Sequence, residues 1–90
     1  LAVKVRVHPF HVHLVDGQEV VEVQGRTVGE CLTALVARYP ALKSELFDKH
    51  GNLRNYLEVY LNNQSTYPEE LKHPVSDGDE LSIIMIAQGG

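Results

Sequence analysis

The chain has one cysteine, one methionine and no tryptophan, and Phe and Tyr together make up only 7% of it. With Cys31 alone, no intrachain disulfide can form, which suits a reducing compartment and leaves the fold to be held by packing. Basic residues are also scarce. Eight Lys and Arg stand against 12 Asp and Glu, giving a net charge of −4. A protein that grips nucleic acid needs a cationic face for the phosphates, so this balance argues against that class. No apolar run approaches the ~20 residues that cross a bilayer, and no secretory leader pattern opens the chain. The expectation is a cytoplasmic protein that engages neither membrane nor nucleic acid. A glycine-rich phosphate loop, a paired-carboxylate signature and a credible Ser/His/Asp set are missing too, which points away from an enzyme acting by itself.

What is present suffices for one small domain over residues 1–90. The apolar fraction is 43%, too high for a disordered chain. A chain of this length buries roughly 60% of its unfolded surface, so its core has to be efficient. Residues 3–7, VKVRV, alternate strictly, with Val3, Val5 and Val7 on one face and Lys4 and Arg6 on the other, at a solvated edge. Asp16-Gly17 marks a turn, and 18–24, QEVVEVQ, completes a hairpin. Thr27-Val28-Gly29-Glu30 has the form of a capping box, in which a Thr oxygen takes an early helix N–H and a Glu reaches back. Val28, Leu32, Leu35, Val36 and Tyr39 follow at helical spacing, and Pro40 ends the helix. LKSELFD (42–48) predicts a short second helical turn, and YLEVYLN (56–62) a third strand with Leu57, Val59 and Leu61 on one face. Residues 64–76 read as irregular, with Leu71 and Val75 plugging the core. Asp77-Gly78-Asp79 is a tight turn that launches ELSIIMI (80–86), a strand apolar on both faces and therefore central. This order predicts an α+β fold of the β-grasp kind: a mixed sheet of four to five strands with one main helix packed across it. Pattern alone leaves other strand orders of an α+β sheet open.

The sequence closes on Ala87-Gln88-Gly89-Gly90. Two residues without a Cβ make a thin segment, able to thread a channel that excludes side chains. We expect 87–90 to be a flexible tail, reaching about 13 Å beyond the last strand. Its carboxylate would serve as a nucleophile toward the α-phosphate of ATP, giving an acyl-adenylate in a pocket supplied by another protein.

YLEVYLNN, VSDGDELSIIM and Gly89-Gly90, together with VKVRV and TVGECL, resemble the ubiquitin-like sulfur carriers of the MoaD/ThiS family over almost the whole chain. The resemblance implies a β-grasp fold and a carrier role. An E1-like enzyme adenylates Gly90 with ATP, Gly89 is its required neighbour, sulfur is loaded as a thiocarboxylate, and a synthase accepts it. No cofactor is bound by the carrier. The connection LKSELFDKHGNLRNYL (42–57) is most similar to those of the molybdopterin synthase small subunit and the carrier used for cysteine synthesis. Met85, Ile86, Ala87 and Gln88 stand where relatives often have Pro or Val, and Glu58 where Asn is common in the cysteine branch. These departures leave the pathway open. The alternative is a ubiquitin-like modifier joined to lysines through Gly90.

Tyr56, Tyr60, Ile84 and Ile86 are expected on the sheet face opposite the helix, where with Gln88 they would form a docking surface for the partner. HPFHVH (8–13) invites a metal reading, with His11 and His13 sharing a face if extended. Three His without a neighbouring Cys or carboxylate do not match a structural site, so no metal is expected there. An exposed loop with Phe10 and Leu14 tucked inward is expected instead. Cys31, between helix-face residues, is expected in the core rather than as a sulfur relay; exposure beside the helix start would lower its pKa.

Overall fold

The structure, a computed structural model, describes residues 1–86. Five strands form one sheet: β1 (Ala2–Arg6), β2 (Val20–Gln24), β3 (Leu57–Leu61), β4 (Gln64–Ser65) and β5 (Glu80–Met85), in the order β2-β1-β5-β3-β4. β1 and β5 run parallel and the other neighbours antiparallel. The strand apolar on both faces, β5, is central, as its composition predicts.

Register explains the core. Val3 faces Val23, Val5 faces Val21 and Leu81, and Val59 faces Ile83, all buried on one face. The helix α1 (Val28–Arg38) supplies the opposing layer through Val28, Cys31, Leu32 and Leu35. Thr27 Oγ1 accepts from the Glu30 N–H at 3.1 Å, and Glu30 Oε1 accepts from the Arg26 N–H at 2.9 Å. The capping box thus forms with its return bond shifted one residue upstream. A 3-10 turn at Pro40–Leu42 and the short helix α2 (Lys43–Leu46) add buried Leu42 and Leu46.

Three expectations need correction. Residues 64–76 are not wholly irregular. Asn62 and Asn63, at φ 48° and 70°, turn the chain back on β3 to make β4, and a 3-10 turn follows at Glu70–Lys72. Short polar pieces like these carry no apolar alternation to read. Lys4 and Arg6 are exposed, but β1 is an interior strand, so they lie on the open face of the sheet rather than at its edge; Arg6 Nε approaches Glu80 Oε2 at 3.6 Å. The histidine segment is a 3-10 helix, Pro9–Val15, not an exposed loop. It buries His11 and Val15 and leaves Phe10 69% exposed, the reverse of the inward Phe10 expected; Leu14 does pack against the core.

The crossover to β5 is fixed by backbone bonds. Val28 N–H donates to His73 O and Val75 N–H to Arg26 O, tying the segment to the start of α1. Gly78, at φ 85°, then donates to Ala2 O, while Asp77 Oδ1 accepts from the Ala2 N–H at 2.8 Å. The Asp77-Gly78-Asp79 turn is therefore the clip that lays β5 parallel to β1.

Candidate functional site at the end of the central strand

β5 delivers the chain to one end of the sheet. The last described link is the Ile86 N–H donating to Tyr56 O at 2.9 Å, which extends the β3–β5 ladder past Met85. Ala87, Gln88, Gly89 and Gly90 lie outside the described residues, so the expected tail 87–90 and three of the candidate site residues do too.

Register places the docking candidates. Ile83 is on the helix face, so Ile84, opposite Glu58, is on the open face, and Tyr60, opposite Ser82, joins it. Both are half-buried. Ile86, just past β5, is 40% exposed. Tyr56 precedes β3 and packs against the core cluster. Lys4, Arg6, Glu80 and Ser82 share the open face, so the apolar side chains sit beside charged ones.

Sequence reasoning missed two exposed aromatics. Tyr67 is 73% exposed and lines, with Leu57, Glu58, Pro68, Leu71 and Ile86, a hollow of about 800 Å³ next to the point where the chain leaves β5. Phe10, 69% exposed, is on the turn that follows β1, whose pairing with β5 ends with Arg6 beside Ser82. The available signal was an aromatic next to proline within each polar stretch, HPFH and STYPEE. Large exposed apolar side chains that share one hollow, as Tyr67 and Ile86 do, mark contact surfaces more often than scattered ones do.

Cys31 is fully buried, and burial, reinforced by nearby Glu30, pushes its thiol pKa up. It is a core residue, as expected, and its protonated thiol is a poor sulfur relay. The exposure that would have lowered its pKa does not occur. His8, His11 and His13 are not brought onto one face: His11 is buried and His13 exposed. Among the described residues no group of three or more His, Cys, Asp or Glu is arranged to hold a metal, and no helix is long and apolar enough to cross a membrane.

Comparison with known proteins agrees with this geometry. The ThiS family model matches residues 11–90. The small archaeal modifier protein 1 of Haloferax volcanii is 37% identical over 71 residues, 78% of each chain. The sulfur carrier protein CysO of Mycobacterium bovis is 29% identical over 77 residues, covering 82% of this chain and 83% of that one. Among solved structures, a chain of the BexX/CysO complex from Amycolatopsis orientalis superposes with a TM-score of 0.86 at 28% identity, covering 98% and 99% of the two chains.

Proposed function

The chain belongs to the ThiS family, and from that membership we propose that it is a sulfur carrier whose reactive group is the Gly90 carboxylate. An E1-like enzyme binds the body by the end of β5. The carboxylate attacks the α-phosphorus of ATP and pyrophosphate leaves, giving an acyl-adenylate. A sulfur nucleophile then displaces AMP, leaving a thiocarboxylate. The loaded carrier next docks on a synthase of the molybdopterin or cysteine type, which takes the sulfur, and water attacks the carbonyl carbon as the C–S bond breaks, restoring the carboxylate. The reaction runs in the cytoplasm, where ATP and reduced sulfur are at hand. The carrier is a co-substrate rather than a catalyst, and positioning and charge stabilisation come from the partner.

The observation that carries this reading is the family match running through Gly90, on a fold whose central strand leads into that segment. Gly89 and Gly90 are the pair that lets the chain enter a narrow channel. The crystallised BexX/CysO complex supports a protein partner, since it captures a relative bound to one.

The test is to incubate the 90-residue polypeptide with an E1-like enzyme from the same organism, ATP and sulfide. Intact mass should rise by the difference between sulfur and oxygen, and fragmentation should place the change on Gly90. An unchanged mass with each such enzyme of the organism refutes the proposal. A second reading, a modifier that forms isopeptide bonds with lysines through Gly90, is favoured by the 37% identity to small archaeal modifier protein 1. High-molecular-weight adducts in cell extracts that disappear on deletion of Gly90 would establish it.

A further inference from the structure

His11 is the largest buried polar side chain that the carrier reading leaves unused. It is 1% exposed, and among the described residues neither ring nitrogen makes a hydrogen bond. Its Nε2 faces Glu45 Oε1 at 3.4 Å, across the seam between the Pro9–Val15 turn and α2, and the Glu45 side chain is about half exposed. Nδ1 has no partner. A neutral imidazole needs one donor and one acceptor, and it tolerates a bare ring nitrogen at modest cost. The protonated ring carries two N–H donors, and here the second would point into the interior with no acceptor.

The charges around the ring are few. From α2 the facing group is Glu45, which favours the cation. The Pro40–Leu42 turn, which packs on the histidine segment, brings no titratable side chain. On the histidine's own turn, His8 and His13 disfavour a further positive charge. Burial outweighs the single carboxylate, so the His11 pKa lies below the ordinary histidine value. The turn's other tie to the helical layer is the Gln18 amide, which donates to Tyr39 Oη at 2.7 Å and to Val15 O at 3.1 Å. Apolar contacts hold the turn as well: Val15 is fully buried in the core cluster and Val12 and Leu14 pack against it, so release of the His11 niche is a local opening against those contacts.

We propose that the Pro9–Val15 turn is an acid-released flap: protonation of His11 expels the ring from its niche and detaches the turn from Pro40–Leu46. The flap follows β1 directly, so its release moves the exposed Phe10 that it carries. The inference is independent of the carrier reading, because it rests on the body of the fold and not on Gly90.

The sign follows from linkage. The open state binds a proton with the ordinary histidine pKa near 6.5 and the closed state only at a lower value. Opening is therefore favoured as pH falls below about 6.5, by at most about 25-fold between pH 7 and pH 5, the limit for a ring that stays neutral when closed. Hydrogen exchange corrected for intrinsic rates should show the His11, Gly17 and Gln18 amides losing protection several-fold over that range, while the amides of α1 and β5 keep theirs. NMR titration should place the His11 midpoint below the ordinary histidine value. Glu45→Gln, an exposed and conservative change, removes the group that favours the cation. It should move the His11 midpoint lower still and increase opening at pH 5. Unchanged protection of the turn, equal loss across the whole chain, a His11 midpoint at or above the ordinary value, or a midpoint insensitive to Glu45→Gln would each overturn the proposal.

Discussion

At the scale of single residues, two positions show how tightly this small core is specified. A Cβ on Gly25 would lie 2.7 Å from Cys31 Sγ and 2.8 Å from the Cys31 backbone nitrogen. Gly25→Ala should therefore cost about 2 kcal/mol, the usual scale of overpacking, read from urea denaturation. Because the backbone nitrogen is as close as the sulfur, adding Cys31→Ala should not restore the loss; full rescue would show that the sulfur alone sets the constraint. Asp79 is the second position. Its Oδ1 accepts from Asn62 Nδ2 at 3.0 Å and its Oδ2 from the Ser76 N–H at 2.7 Å, and these bonds to Asn62 and Ser76 hold its carboxyl below the usual range. The folded pKa is thus lower than the unfolded one, near 3.9, so the contribution is complete above that value and is lost as pH falls through the folded pKa. The stability gap between wild type and Asp79→Asn should narrow from pH 5 to pH 3, and a gap constant with pH would contradict this. The sequence identified Asp77 and Asp79 as turn residues. It did not show that they reach β1 and the β3–β4 turn, because those contacts are made across 75 and 17 positions.

At the scale of elements, legibility followed periodicity. β1, β2 and β3 were visible in their alternation, β5 in its continuous apolar run after a tight turn, and α1 in its stripe and capping box. Thr27→Ala should cost about 1 kcal/mol, since it removes the side-chain acceptor of the Glu30 N–H. Thr27→Ser, which keeps the oxygen, should cost a few tenths, and equal losses for both would show that the cap contributes nothing specific. The segment 8–15 reads as an exposed loop because three histidines and Pro9 leave no regular apolar stripe to mark a helix. His8 Nδ1 instead accepts from the Phe10 N–H at 3.1 Å, and with Pro9 at the first position it starts a 3-10 helix. A short helix of this kind places residues three apart on one side. In the crossover the core plugs were legible, since Val75 is buried and Leu71 packs against the core as expected, but the ties to α1 were not, because they are main-chain bonds at Arg26, Val28, His73 and Val75 that any side chains would permit.

At the scale of the whole molecule, the carrier reading divides labour between a body that is recognised and an end that reacts, and the division has a kinetic signature. The open face was legible as far as Tyr60 and Ile84, by alternation alone. The hollow beside Ile86 was not, because Tyr67 reaches it only through the turn at Asn62 and Asn63. Ile86 and Tyr67 are 40% and 73% exposed, so charging or truncating them should leave the fold within about 0.5 kcal/mol of wild type. If the activating enzyme covers this surface before and during adenylation alike, Ile86→Asp and Tyr67→Ala weaken ground state and transition state equally. KM for the carrier should then rise about tenfold, equivalent to about 1.4 kcal/mol, with kcat within a factor of two. Gly90→Ala puts a Cβ beside the reacting carboxylate instead, where it is felt during the chemical step, and should lower kcat with little change in KM. Steady-state rates of AMP formation against carrier concentration separate the two effects. A fall in kcat alone for Ile86→Asp, or a rise in KM alone for Gly90→Ala, would show that docking and reaction are not divided between body and end in this way.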